Sequence, residues 1–587
     1  MYNNAEVRQN SRNYLGGNTM KKLIALLLAC TMLLGVLAGC GNQQPTETTQ
    51  APTEAGDPNE TQAAIQETEA PESETPLKLE WRQSIGIDTL FESPAKDQAS
   101  LYPYMVFDCL MYWYGAEGEF VPALATEWGN NEDYTEFTLT IREGVKWHDG
   151  EILDAEDVAF TILYCIANPN SSTAKKYQYV EGYEALKNGE ANELAGMTVD
   201  GNTITFKLTK SRPLFLTDIY ATYVLPEHLL GDIPRAEIDS SDYWKKPVGC
   251  GAYIIDEVNF PDYFTCTRFD EYWGEPAGIK NVQFISYQTG GSDAAVAGLI
   301  NGEIDFGTRH LITDSSIAAN MTAQNSDLKT LPVNAHNVRC FVFNLDHRAD
   351  NKLKEDLQKK EVRQAFDLLL DQEVIASFYG TQAIASATLV NPNATEYNTD
   401  IPYVSKDVEA AKKLLDEAGF DYSQTIDIAY YYTDQTTLDI MALIVQDFAA
   451  AGVTVNPVLL EGDLADLIYT TCNYDLLYLA GANSDFDQSA YYFQCTSWGT
   501  YTFMGQLDER TAMFDDLMNA YNTTNDSAER KDLSWQMQAL NYEYAYMLPA
   551  YVSNFNVVYN AASVQVPEDC LTGGGQYYNW SQWEMLK

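Results

Sequence analysis

The chain has 587 residues, 45% of them hydrophobic and 20% charged, with a formal net charge of −48 at pH 7. That length is too great for one simple core, so several domains are expected. So acidic a chain should repel nucleic acid and anionic lipid, both of which are held through Lys and Arg contacts to phosphate, and no nucleic-acid partner is expected.

The N-terminal residues read as export equipment. Lys21 and Lys22 precede an apolar run over 23–38, closed by "LAGC" at Cys40. Roughly 16 apolar residues fall short of the ~20 that span a bilayer, whereas a basic start, an apolar middle and small residues at the end mark a signal peptide. A cysteine at the cut matches the lipobox of bacterial lipoproteins, so Cys40 is expected to be acylated and to anchor the chain to the membrane. Residues 1–19 do not fit such a leader, and synthesis is expected to start at Met20; a precursor peptide from residues 1–19 would sink that expectation. Residues 1–39 carry four basic residues and one acidic residue, so their removal takes the charge from −48 to −51. Residues 41–76, rich in Thr, Glu and Pro without Lys, Arg or aromatics, are too poor in apolar groups to fold. As a flexible tether this tract would reach on the order of 30 Å.

Past residue 77 the sequence turns globular. Alternating apolar positions predict strands at 77–85, 137–141, 203–208, 252–258, 264–269, 282–285 and 338–345. Helical spacing appears at 155–166, 292–301, 359–370, 407–418, 437–451 and 527–545, with Gly419 and Gly452 placed to end two helices. One βαβ unit is legible: strand 425–432, helix 437–451, strand 453–460. Strands and helices alternating over this length predict α/β lobes. The ten cysteines, including Cys30 and Cys40, show no C-x-x-C pair, so neither disulfides nor buried thiols are demanded.

The stretch "GVKWHDGEILDAEDVAF" (144–160) crowds His148, Asp149, Glu151, Asp154, Glu156 and Asp157 beside Trp147. Asp149-Gly150 reads as a tight turn, Asp154 as a helix N-cap, and Glu156 and Asp157 as first-turn acids suited to the helix dipole. Only His148 and Asp149 lack a structural role in the sequence, and no nucleophile or metal partner stands near them. The stretch is read as scaffold.

"PALATEW", "FTLTIREGVKWHDGEILDAEDVAFTI" and "KPVGCGAYIIDEV" resemble signature regions of the family 5 solute-binding proteins, the oligopeptide, dipeptide and nickel-chelate group that serves ABC importers. "FDEYWGEPAGIKNVQFISY", "AVAGLINGEIDF", "VEAAKKLLDEAGFD" and "AERKDLSWQMQALNYEYAYMLPAYV" follow in family order, over most of residues 80–560. The resemblance implies a two-lobed periplasmic-binding-protein fold, type II and of the peptide-binding cluster, with an extra small domain and two hinge crossovers. A first lobe would comprise 77–107, 196–340 and 548–587, the small domain 108–195 and the second lobe 341–547. Crossover strands near 341–344 and 546–552 would let the lobes close on ligand. A monomer working with an ABC permease and ATPase complex is implied.

The expected site lies in "DLLYLAGANSDFDQSAYYF" (475–493). In peptide-binding relatives the matching segment is a strand, then Ala-Gly-Trp, then an Asp that pairs with the peptide's α-ammonium. "AGANSDF" puts Asp485 at that Asp and Ala482 at the Trp, while Gly481, Ala482 and Asn483 are placed to hydrogen-bond an extended ligand backbone. Trp498 is a further candidate ligand contact, and the first-lobe counterpart should fall within 91–98. No arginine stands out as a carboxylate clamp. With the Trp replaced and aromatics abundant, an oligosaccharide remains an alternative cargo. A hydrolase is disfavoured: five histidines show no HExxH spacing and no GxSxG occurs, although two carboxylates would suffice for a glycosidase. No metal or cofactor is expected.

Overall fold

The computed structural model describes residues 74–81, 103–114, 119–169, 171, 173–287, 291–312, 315–345, 348–350, 352–380, 383–392, 394–432, 435–462, 466–482, 509–567 and 579–587. Strands follow in chain order: β1 (Leu77–Trp81), β2 (Met111–Tyr114), β3 (Glu119–Pro122), β4 (Ala125–Asn130), β5 (Glu136–Ile141), β6 (Met197–Asp200), β7 (Thr203–Lys207), β8 (Tyr253–Asn259), β9 (Tyr263–Arg268) and β10 (Asn281–Ser286). After them come β11 (Phe306–Ile312), β12 (Leu328–Phe343), β13 (Ala383–Ala385), β14 (Thr425–Tyr430), β15 (Thr454–Leu459), β16 (Leu476–Ala482) and β17 (Met547–Asn560). One large sheet runs in the order β15-β14-β16-β12-β17-β11-β1-β10-β9-β8, with β13 on β17.

Two large apolar cores lie along this sheet. Leu77, Leu79, Trp81, Phe264, Phe284 and Phe306 belong to the first, Phe341, Phe366, Ile428, Phe448 and Tyr478 to the second. The antiparallel pair β12–β17 runs through both, from Leu328↔Asn560 to Val342↔Met547. Towards one end β17 also pairs with β11, and towards the other β12 pairs with β16. The exchange of outer partners coincides with a register shift between Val333 and Asn337. Leu331 packs on the first core and Val338 lies within the second. The change of core falls between Leu331 and Val338.

The predicted βαβ unit forms, with Gln435–Ala450 as its helix and β14 and β15 parallel. Gly419 ends its helix at φ +67°, a conformation that costs glycine nothing. A separate sheet, β4-β5-β7-β6, joins strands on both sides of position 195, with β7 pairing to β5 and β6 to β7.

The acid-rich stretch is built into this frame. Asp154 caps the helix Ala155–Ala167, and Asp157 returns the bond in a capping box. Buried Asp157 also accepts from Trp147 Nε1 at 3.2 Å and from the Glu227 N–H at 2.8 Å. His148, with no role visible in the sequence, accepts the Gly249 N–H on Nδ1 (3.2 Å) and meets the Gly251 carbonyl through Nε2 (2.9 Å). Asp149 pairs with His228 at 2.8 Å. Gly249 is required there, since a Cβ would stand 1.8 Å from the Val106 carbonyl oxygen. Six described cysteines are buried free thiols.

Candidate functional site

The segment singled out for ligand binding begins as a strand and stays one longer than expected. Leu476–Leu479 are buried, and β16 continues through Gly481 and Ala482, which face Val338 and Asn337 of β12. Its opposite neighbour β14 pairs only with Leu476 and Leu477. From Leu479 to Ala482 that second edge has no strand partner among the described residues, although Tyr432 Oη accepts the Ala480 N–H at 3.2 Å. Asn483, Asp485, Trp498 and segment 91–98 lie outside the described residues. Trp113 and Trp580 fill the first core.

The two ends of β16 differ in their charge. At its start, Asp475 accepts from Arg348 Nη1 (2.8 Å), Lys354 Nζ (2.5 Å) and the Asp427 N–H (2.8 Å), so this buried carboxylate is fully compensated. Towards its end stands Arg339, paired in register with Ala480 of β16 and Tyr551 of β17. Its guanidinium lies over the Tyr432 ring at 3.8 Å and near the Tyr478 ring at 5.9 Å. Tyr478 and Tyr551 share a 2.7 Å hydroxyl bond, and Tyr379 packs on Tyr551 with centroids 4.9 Å apart.

No carboxylate among the described residues pairs with Arg339, and its Nε and Nη1 are closed off from solvent without hydrogen-bond partners. Burial works against the charge, but the phenol groups of Tyr432, Tyr551, Tyr478 and Tyr379 outweigh it and hold the guanidinium in its charged form. A cation over an aromatic face gains roughly 0.5–2 kcal/mol. This arginine escaped the sequence reading. Its signal was one charged residue between Val338 and Cys340 in a strand that pairs on both edges, where alternation alone suggests an outward, solvated side chain.

The site stands where α/β folds place ligands, beyond the carboxyl ends of parallel strands: Tyr432 just follows β14, and Gly481–Ala482 end β16. Among the described residues no three His, Cys, Asp or Glu side chains are grouped to hold a metal ion.

Residues 119–503 match the family described as "Bacterial extracellular solute-binding proteins, family 5 Middle". The Dipeptide-binding protein of Escherichia coli (strain K12) is 26% identical over 353 residues, 58% of this chain and 62% of that protein. The match thus spans less than two thirds of that relative. Among solved structures, the ABC transporter substrate-binding protein CtaP from Listeria monocytogenes superposes with a TM-score of 0.72 at 21% identity, covering 87% of this chain and 99% of that one. NikZ from Campylobacter jejuni, in complex with Ni(L-His), gives a TM-score of 0.68 at 20% identity over 87% of this chain and 99% of its own. These likenesses establish the mixed α/β periplasmic-binding-protein fold, and the family match, covering more than half the sequence, goes further: the chain belongs to the family 5 bacterial extracellular solute-binding proteins.

Proposed function

We propose that the chain is the extracytoplasmic substrate-binding lipoprotein of an ABC importer. It captures peptides between two lobes that close on the ligand, and it delivers them to a permease and ATPase complex. The observation that carries this reading is the pair of crossing strands. Two separate cores are threaded by β12 and β17, whose outer partners change at Val333–Asn337. Rotation about such a crossing opens and closes the space between lobes without breaking either core. The edge of Leu479–Ala482, which has no strand partner among the described residues, suits an extended peptide backbone, as in strand addition. The dipeptide-binding relative supports a peptide cargo.

Within this reading the first lobe takes 77–107, 196–340 and 548–587, the small domain 108–195 and the second lobe 341–547. Asp485, three residues beyond β16, is assigned to the peptide ammonium, with Asn483 and Trp498 beside it. Asp485→Ala should weaken peptide binding at least tenfold, about 1.4 kcal/mol, and N-acetylating the peptide should cost a similar factor. If titration finds affinity untouched by both changes, the anchor lies elsewhere. Cys40 is assigned to the lipid anchor on the outer face of the cytoplasmic membrane; Cys40→Ser should abolish metabolic lipid labelling, and unchanged labelling would refute the assignment.

A carbohydrate is the second reading, supported by the abundance of Tyr and Trp in the chain and by Ala482 standing where peptide-binding relatives carry Trp. Mass spectrometry of material released from the purified chain by gentle denaturation decides the cargo. Peptides uphold the first reading; hexose oligomers replace it with the second. A nickel–histidine chelate, the ligand in the similar NikZ structure, would overturn both.

A further inference from the structure

We propose that the segment 212–215 is a latch between the lobes: Arg212 and Leu214 reach from the first lobe to the second, at and around Asn522, and hold the two closed. The inference rests on the two-lobed reading above, but it does not require that the ligand be a peptide.

Successive residues of this segment belong to different cores. Phe215 lies in the first core, whereas Leu214 lies in the second, whose other described members all come from β12 onwards. Arg212, two positions earlier, donates from Nη1 to Asn522 Oδ1 at 2.5 Å, across 310 residues of chain. Asn522 sits near the end of the helix Glu509–Thr523, which gives Phe514, Met518 and Tyr521 to the second core. The arginine itself is set from the other side. Its Nε and Nη2 grip Asp218 as a fork at 2.9 and 2.8 Å, its backbone N–H donates to the Tyr134 carbonyl, and its guanidinium lies 5.3 Å from the Tyr179 ring. That leaves Nη1 to point across. Arg212 and Asn522 are each 6% exposed, so water competes little for their bond.

The contact stands at the end of the second lobe that faces the first. β17 starts at Met547 opposite Val342 and reaches the crossing at Ser553, opposite Asn337. The helix Ser527–Tyr544 comes just before β17 and runs the other way, and its 18 residues, about 27 Å, return to the level of the crossing. Asn522 is five residues ahead of that helix. Lobes that swing apart would part this contact, and lobes that close would make it. One hydrogen bond and one leucine make a small grip, suited to shifting the balance of open and closed chains without fixing it. A merely structural contact makes a different forecast: its loss lowers stability and leaves the lobes where they are.

The test uses the full-length chain, freed of cargo by gentle denaturation and refolded, beside two variants. Asn522→Ala removes the acceptor, and Asn522→Asp replaces it with a carboxylate that holds the guanidinium more strongly. Small-angle X-ray scattering of the ligand-free chains should rank their radii of gyration Asn522→Asp, wild type, Asn522→Ala, from compact to extended. Equal radii in all three overturn the latch. Equilibrium dialysis against a random tetrapeptide mixture reads the same shift, because apparent affinity scales with the fraction of chains in the binding-competent state. Affinity should fall at least threefold in Asn522→Ala and rise in Asn522→Asp. Tighter binding by Asn522→Ala would put the contact in the open arrangement and overturn the inference, as would equal affinity in all three chains. Leu214→Ala leaves Arg212 and Asn522 in place and should move both readouts in the direction of Asn522→Ala, which covers the case in which an Asn522 variant does not fold. If the wild-type chain retains no tetrapeptide, the peptide reading fails, and the ranking of the radii alone upholds or overturns the latch.

Discussion

His148 is held where only its neutral form fits. Nδ1 accepts the Gly249 N–H, so Nε2 carries the ring proton and donates to the Gly251 carbonyl. Protonation would set two N–H groups against each other, and burial lowers the imidazole pKa to about 4 despite the opposing pull of the Gly251 carbonyl and Asp149. The unfolded chain titrates near 6.5, so between those values the unfolded state binds more protons than the folded one. Stability from this group is therefore complete above about pH 6.5 and drains away as pH falls towards 4. The expected loss is ~2–3 kcal/mol across that window. His148→Gln offers a comparable acceptor and donor without titrating, so urea unfolding at pH 7 and 4.5 should show a shallower fall in the variant. Equal falls in both chains would remove His148 from the account. The sequence placed His148 within the scaffold stretch but gave it no task. Its partners lie a hundred residues away at Gly249 and Gly251, beyond the reach of local pattern. Arg339 was hidden for a related reason: strand alternation cannot say whether an outward side chain meets water or a ring of tyrosines.

The elements most legible in the sequence are those whose ends are set by local chemistry. The helix Ala155–Ala167 begins where Asp154 caps it, and Asp157 answers the Asp154 N–H at 3.1 Å. Replacing the two acids should have unequal costs. Asp154→Ala removes one cap, worth about 1 kcal/mol. Asp157→Ala also strands the buried Trp147 indole, which adds about 1–3 kcal/mol, and takes the acceptor from the partly buried Glu227 N–H. Urea unfolding should therefore rank Asp157→Ala at least twice as damaging as Asp154→Ala, and the reverse order would contradict this role for Asp157. The crossing strands show where local reading stops. β12 was expected from Val338, yet it begins at Leu328, because β17 pairs with it through a stretch containing Pro332 and the register shift before Asn337. β16 likewise runs on through Gly481 and Ala482, residues that read as loop and are held extended by Val338 and Asn337. In both cases a distant strand overrides local preference. The assigned ammonium partner follows directly after this extension, so its role rests on resemblance and not on geometry.

At the scale of the molecule, charge sets how cargo arrives. The chain carries −48 as written, and −51 without the expected leader, so its mean field repels anions. A peptide carboxylate must arrive against that field, since the Arg339 guanidinium is walled by rings and felt only at close range. Salt then acts oppositely on the two stages of binding. During approach, ions screen the repulsion of the whole surface, whose reach shrinks from ~30 Å at 0.01 M to ~8 Å at 0.15 M. Once seated between the lobes, the ligand is largely desolvated and salt hardly reaches it. For a net-negative ligand such as Ala-Ala-Asp, stopped-flow tyrosine and tryptophan fluorescence should show an association rate constant that rises several-fold over that range of ionic strength. Its dissociation rate should change little. A neutral ligand such as Ala-Ala-Ala should associate at a rate nearly independent of salt. An association rate that falls with salt for the acidic peptide would mean a positive funnel steers it, contrary to a chain of net charge −48.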